Sequence, residues 1–338
     1  MFLIAGPCSA ESPQQLMETA RGLTGCGVSV FRAGLWKPRT HPGSFEGVGA
    51  EGLSWLVAVR EETALPVATE VAGAKHVEAC LKAGLDVLWI GARTTANPFL
   101  MQEIAEALAG VDIPVYVKNP VHPDAELWAG AVERLQRAGV RRIGLVLRGF
   151  TTPESGPYRN APLWPLAVGM RTRFPELPLL VDPSHIAGEA GLVPDISQKA
   201  LDLGLDGLMV EVHAHPEAAL SDAAQQLTPA GFRTMLAGLQ ERAADTDAPD
   251  YREGIEALRA RIDTIDEQLL ALLASRMEVS REIGEYKREH GIAILQPGRW
   301  ESLLEQVMAE GRQKGLPEEF IRRVFEAVHE ESVRRQEK

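Results

Sequence analysis

The chain has 338 residues, 45% of them apolar and 24% charged, with a formal charge of -12 at neutral pH. That length exceeds one ordinary domain, no apolar run approaches the roughly 20 residues a membrane span needs, and so acidic a chain is a poor partner for nucleic acid or an anionic membrane. Three cysteines are too few for a disulfide framework, so a reducing, cytoplasmic setting is expected, and any anionic ligand must meet cations gathered locally.

Eight short apolar, β-branched runs follow one another at residues 2–5, 28–32, 66–70, 87–91, 114–118, 143–148, 178–182 and 207–211. Each gives way to loop residues and then to a stretch of helical periodicity, as at 77–84 and 127–139. Runs that are apolar on both faces suit parallel strands covered by helices. Eight such units in about 250 residues predict an α/β fold, a closed (β/α)8 TIM barrel. An open doubly wound sheet is the alternative, but it calls for a glycine-rich phosphate turn after its first strand, which G-P-C-S at 6–9 is not. The opening run is also too short, and lacks the preceding basic stretch, for an export signal.

Composition changes late in the chain. Residues 1–251 hold 49 charged residues and 20 of the 22 prolines, whereas residues 252–338 hold 33 and 2, so charge density nearly doubles across a domain boundary. The reading is a barrel over 1–242, an acidic linker over 243–251 and a small all-α helical bundle over 252–338.

In such a barrel the loops after the strands form the functional face. Around that ring stand Cys8, Arg32 with Lys37 and Arg39, Glu70, Arg93, Lys118, Arg148, Asp182 with His185, Glu211 with His213, and Asp222. Six cations on one rim of an acidic protein repel one another and call for bound anions. Cys8, His185, Glu211 and Asp222 offer one sulfur, one nitrogen and two carboxylates, a shell suited to a divalent Mn, Fe, Co or Zn ion with a position left open. His213 and His215 read as neighbouring loop residues, with one of them in place of His185 as the alternative ligand. A metal beside an anion site suggests chemistry on a phosphorylated substrate.

As a set, G-P-C-S-A-E-S (6–12), F-R-A-G-L-W-K-P-R-T (31–40), I-G-A-R (90–93), V-K-N-P (117–120), L-R-G-F (147–150), D-P-S-H (182–185), V-E-V-H (210–213) and L-S-D-A-A-Q-Q-L (220–227) resemble the 3-deoxy-D-arabino-heptulosonate 7-phosphate (DAHP) synthases of the short microbial type I branch. The resemblance implies metal ligation by Cys8, His185, Glu211 and Asp222. It implies phosphoenolpyruvate on Arg32, Lys37, Arg93, Lys118 and Arg148, with Glu70 and the Ala92 backbone nearby, and erythrose 4-phosphate on Lys37, Pro38, Arg39 and Thr40. Lys37 and Lys118 are the implied catalytic groups of an aldol-like condensation. The sister 3-deoxy-manno-octulosonate 8-phosphate synthases carry a K-A-N-R-S-S-type loop where this chain has K-P-R-T, which favours the four-carbon aldose.

In the second region Ile255, Leu258, Ile262, Ile265, Leu269, Leu272, Arg276, Val279, Ile283 and Tyr286 recur at spacings of 3 and 4. They predict a helix over 253–290, roughly 55 Å long, whose seam a second chain would help to bury. Helices near 298–314 and 318–336 follow. A plain dimerisation coiled coil, with Arg276 setting its register, is one reading. The segment L-R-A-R-I-D-T-I-D-E-Q-L-L-A-L-L-A-S-R, with G-E-Y-K and E-S-V-R-R-Q, also resembles the all-helical chorismate mutases. That resemblance implies chorismate carboxylates on Arg276, Arg299 and a partner-chain Arg259, Lys287 and Gln336 as the catalytic groups, with Lys287 at the ether oxygen, and Ser332 and Gln296 completing the pocket. Gln296 stands where many such enzymes have Asp, and Trp300 where some have Glu. The expectation is a bifunctional homodimer, or a larger assembly, in which the helical domain senses a pathway product. The competing expectation is a helical module that binds and dimerises without catalysis. Since the first strand begins at residue 2, no regulatory domain is expected ahead of it.

Overall fold

The computed structural model describes residues 1–38, 43–153, 156–243 and 248–337. The chain divides into two units, Met1–Ala244 and Asp245–Lys338.

The first unit is built on eight strands, β1 (Phe2–Gly6), β2 (Val30–Arg32), β3 (Val67–Val71), β4 (Val87–Ile90), β5 (Val115–Lys118), β6 (Ile143–Leu147), β7 (Leu179–Val181) and β8 (Gly207–Glu211). Neighbours in sequence pair in parallel and β8 closes on β1, with Ile4 opposite Met209 and Gly6 opposite Glu211, so the sheet is a barrel with no free edge. The alternation of side chains divides each strand between two cores. Ile4, Val30, Ala68, Trp89, Tyr116, Val146, Leu180 and Met209 fill the barrel, while their neighbours meet the helices. Tyr116 fits inside because residue 144 is glycine; a Cβ there would stand 2.4 Å from its ring.

The barrel helices are α1 (Pro13–Leu23), α2 (Gly52–Thr63), α3 (Ala74–Ala83), α4 (Ala92–Thr95), α5 (Pro98–Ala107), α6 (Ala125–Arg137), α7 (Trp164–Arg173), α8 (Pro183–Ala187), α9 (Val193–Asp202) and α10 (Pro229–Gly238). Their starts are written locally: Ser12, Asn97 and Thr228 each accept a backbone N–H with their side chains, and each precedes a proline, whose missing donor costs nothing in a first turn. The extra helices α4 and α8 follow β4 and β7 directly, so they put Ala92, Arg93 and His185 on the C-terminal face.

The second unit has three helices, α11 (Pro249–Glu289), α12 (Pro297–Gln313) and α13 (Glu318–Glu337). The long helix begins four residues before the predicted 253, because Pro249 occupies its first turn and Asp250 favours the positive end of its dipole. Part of the predicted linker, 244–247, lies outside the described residues. α13 packs against both α11 and α12. The approach to α11 is close, since a Cβ on Gly284 would fall 2.5 Å from Gln336 Cα. Most of the α11 seam stays exposed within one chain: Leu258, Ile262, Ile265, Leu269 and Leu272 are 52–69% exposed. Among the described residues no helix is long and apolar enough to cross a membrane.

Gly6 ends β1 with φ +148°, and a Cβ there would stand 2.2 Å from the Arg32 carbonyl oxygen. Gly6→Ala is expected to cost about 3 kcal/mol in urea unfolding followed by tryptophan fluorescence. Gly25→Ala, at φ +78° with no atom within 4 Å, is expected to cost only about 1 kcal/mol.

Candidate active sites

The strand ends converge as the spacing predicts. Arg32, Lys118 and Glu211 are the last residues of β2, β5 and β8, and Glu70 is the penultimate residue of β3. A cavity of about 250 Å³ opens above them, lined by Lys37, Pro38, Glu70, Ala92, Arg93, Lys118, Arg148, Arg159, Asn160, His185 and Asp222 among others.

Beneath the cavity lies a charged layer that is largely buried, with Lys118 and His185 at its upper edge. Asp182 is fully buried; its Oδ2 accepts from Lys118 Nζ at 2.7 Å and lies 2.8 Å from His185 Nδ1 and 4.0 Å from Arg32 Nη1. Its Oδ1 accepts the His185 backbone N–H at 3.0 Å, which caps α8 and sets the imidazole in place. Arg32, also buried, donates to Glu211 Oε1 at 3.2 Å and lies over the Trp89 ring at 4.7 Å. Gln225 donates to the second Glu211 oxygen at 2.7 Å. Burial opposes the charge on Asp182 and Glu211, but His185 beside both, with Lys118 at Asp182 and Arg32 at each, outweighs it and holds both carboxyls below their ordinary range. Burial lowers His185 in turn, and the two carboxylates beside it offset that only in part.

Cys8 lies two residues beyond the end of β1 and is buried. Its Sγ lies 3.1 Å from Asp222 Oδ2 and 2.6 Å from Lys37 Nζ, and its backbone N–H donates to Gln226 Oε1 at 3.0 Å. Cys8 Sγ and a carboxylate oxygen from each of Glu211 and Asp222 stand within 4.8 Å of one another, the one such cluster among the described residues. His185 does not complete that cluster. Its Nδ1 lies 3.7 Å from Glu211 Oε1 and is buried without an aligned hydrogen-bond partner. Burial, then Glu211, push the Cys8 thiol far up, and Lys37 only partly offsets them. A thiol so placed ionises only when another positive charge joins Lys37, so the soft and hard donors here fit a divalent cation.

The cavity wall is cationic. Burial pulls the Arg148 guanidinium down to about 10 although Asp182 raises it, and Arg159 and Arg93 pull it further. Arg148 is steadied by Asn160 Oδ1 at 2.9 Å, and Arg159 by Asp222 Oδ1 at 3.1 Å and Gln225 Oε1 at 2.8 Å. Arg159, Asn160, Trp89 and Gln225 were not among the residues predicted. The loop P-Y-R-N at 157–160 carries the only available signal for the first two, a guanidinium and an amide in the connection after β6. Arg39 and Thr40 lie outside the described residues. Arg32 does not line the cavity but stands behind it, and His213 faces Glu11 at 3.7 Å, away from the cluster.

The helical unit assembles part of its predicted set. Arg276 donates to Ser332 Oγ, and Lys287 Nζ donates to Gln336 Oε1 at 3.1 Å and to the Ile294 carbonyl at 2.6 Å. Gln296, Arg299 and Arg259 are exposed. Arg259 lies 17 residues before Arg276 on one straight helix, about 25 Å away at 1.5 Å per residue, so a single chain cannot bring them together. Trp300 stacks on His329 at 4.1 Å and 17°.

Residues 1–248 match the family described as DAHP synthetase I, and residues 258–337 match chorismate mutase type II. A phospho-2-dehydro-3-deoxyheptonate aldolase of Thermotoga maritima is 35% identical over 241 residues, which cover 71% of this chain and 69% of that protein. A 2-dehydro-3-deoxyphosphooctonate aldolase of Koribacter versatilis is 31% identical over 262 residues, covering 71% and 90%. The crystal structure of a DAHP synthase from Thermotoga maritima aligns with TM-score 0.63 and 34% identity over 70% of this chain and 67% of that one.

Asp182→Asn leaves Lys118 and Arg32 buried without their shared carboxylate and is expected to cost about 3–5 kcal/mol in urea unfolding at neutral pH. Because the Asp182 carboxyl is held below its ordinary range, its contribution is present above about pH 4 and lost as pH falls through its folded value. The gap between wild type and variant therefore narrows on acidification.

Proposed function

The chain belongs to the DAHP synthetase I family over its first 248 residues and carries a chorismate mutase type II unit over 258–337, and from that premise we propose that it is a metal-dependent synthase acting on the four-carbon aldose, governed by its own helical unit. The two activities it joins are the condensation of phosphoenolpyruvate with erythrose 4-phosphate and the rearrangement of chorismate to prephenate. The observation that carries the reading is a cavity walled by Lys37, Arg93, Lys118, Arg148 and Arg159 and bordered by the Cys8, Glu211 and Asp222 cluster.

In the condensation, C3 of phosphoenolpyruvate attacks the aldehyde, water adds at C2 and phosphate leaves. Arg93, Arg148 and Lys118 hold the phosphate and carboxylate, with Arg32 adding positive charge from behind, so the two substrates meet without the entropy cost of a free encounter. Glu70 is fixed by the Trp89 indole at 3.1 Å, and with the Ala92 backbone it borders the enol end. Lys37 and Pro38 border the aldose end, where Arg39 and Thr40 would follow, and Lys37 is poised to protonate the nascent alkoxide. Cys8, Glu211 and Asp222 would hold a divalent ion of the Mn, Fe, Co or Zn class, with His185 beside Glu211 turning to complete the shell, and the ion would supply Lewis acidity toward the aldehyde oxygen. The relatives that act on the eight-carbon series give the second reading, an octulosonate synthase; K-P-R-T at 37–40 favours the first. Arabinose 5-phosphate turned over as fast as erythrose 4-phosphate would overturn it.

In the mutase, Arg276, Arg299 and an Arg259 from a second copy bind the two carboxylates, and Lys287 with Gln336 meets the ether oxygen. Ser332 steadies Arg276 and Gln296 closes the pocket. The exposed α11 seam and the 25 Å between Arg259 and Arg276 support a homodimer built on this helix. Chorismate or prephenate bound there then modulates the synthase by a coupling free energy. A purely binding module is the reading to exclude.

Cys8→Ala is expected to lose bound metal by elemental analysis and to lower condensation more than 100-fold, with the helical activity intact; a metal-replete, active variant would refute the ligand assignment. Lys287→Ala is expected to lower chorismate turnover more than 100-fold and leave condensation unchanged. Absence of mutase turnover in the wild type, together with a synthase rate that responds to chorismate, would replace the bifunctional reading with the binding module.

A further inference from the structure

The three helices of the second unit meet along one face of α13. His329, Ser332 and Gln336 recur there at i, i+3 and i+7, which is one stripe of a helix. Ser332 receives Arg276 and Gln336 receives Lys287, both from α11, whereas His329 receives the Trp300 ring from α12. Two members of the stripe thus hold the cations assigned to the mutase pocket, and the third brings a half-buried imidazole to the same face of α13. Neither ring nitrogen of His329 has a hydrogen-bond partner among the described residues, although the ring is fixed face to face at 4.1 Å. Packing alone does not require imidazole, because any flat ring satisfies Trp300.

We propose that His329, oriented by Trp300, is a ligand-contacting residue of the helical unit that donates a ring N–H to the bound dicarboxylate and sets the pH dependence of its affinity. The proposal rests on the mutase reading above and adds a residue to it. In this arrangement Arg299 serves the ligand from α12, and Trp300 next to it supplies the ring that orients His329 on α13.

The charges around the ring give the sign. From α11 it faces Arg276; from α12 it faces the uncharged Trp300; on α13, Glu326 is exposed and Glu330 is paired with Arg334. Partial burial, then Arg276, lower the imidazole below its ordinary value, which favours the neutral ring before a ligand binds. A dicarboxylate on Arg276 cancels that repulsion and favours the protonated ring, so binding takes up a proton and tightens as pH falls.

The test uses the full chain, with chorismate as substrate and prephenate as the binding probe. In the wild type, KM for chorismate should rise about tenfold between about pH 6 and pH 8, and prephenate binding should take up protons, read by calorimetry in buffers of different ionisation heat. His329→Phe keeps the stack on Trp300. It should raise KM about tenfold at the acid end, flatten the profile, abolish proton uptake and leave kcat little changed. His329→Gln, which keeps a donor without a titrating ring, should have a lower KM than His329→Phe and an equally flat profile. A phenylalanine variant that follows the wild-type profile, or keeps the proton uptake, overturns the role of His329. Wild type without turnover overturns the mutase reading instead.

Discussion

The synthase site depends on charge compensation among side chains buried at the C-terminal end of the barrel. Asp182 is the centre of it: one carboxylate answers Lys118, Arg32 and His185 at once. Taking these groups out of water one at a time would be prohibitive, and together they are held because opposite charges lie within 4.0 Å of one another, although Arg32 Nε and Nη1 and His185 Nδ1 lack an aligned hydrogen-bond partner. Removal of Asp182 leaves Lys118 and Arg32 buried with less compensation, so the charged side chains hold one another in place before any substrate arrives. That is the condition for electrostatic catalysis, where the cost of arranging the dipoles is met on folding.

Above this neutralised layer the charges are deliberately unbalanced. Arg93, Arg148 and Arg159 share one wall, and burial with mutual repulsion weakens the hold of Arg148 on its proton. The cavity is therefore a standing demand for anions in a protein whose overall charge is -12. Beside it, Cys8 and Asp222 meet Lys37. Burial penalises the thiolate, and the lysine cannot repay all of it, so the donor cluster asks for one more positive charge. A cationic wall on one side and a donor cluster on the other are what the proposed condensation of a phosphorylated acid beside a divalent ion would use.

The helical unit solves a different problem with the same materials. A reaction that needs only a compact conformer and charge on one oxygen requires cations fixed in space, and α13 fixes two of them through Ser332 and Gln336. The apolar seam of α11 is left exposed in one chain. In the proposed homodimer that seam would tie catalysis and assembly to one surface.

The eight strands were legible from the sequence within one or two residues, because a buried parallel strand is a short run apolar on both faces and the spacing between runs leaves room for one helix. The identity of the strand-end residues was legible too, since Cys8, Arg32, Glu70, Lys118 and Glu211 sit where an apolar run stops. What no local pattern carried was partnership across the ring. Asp182 and Lys118 are 64 residues apart, and Arg32 and Glu211 are 179 apart. Only closure of β8 on β1 decides that they touch. Trp89 looked like one more apolar strand residue until the pleat turned it inward under Arg32. Arg159, Asn160 and His329 belong to a loop and to a helix face whose neighbours come from elsewhere in the chain. The sequence by itself determined which residues could be charged, buried or helical; the tertiary structure decided which charges meet, because pairing depends on distance in space and local propensity carries no record of it.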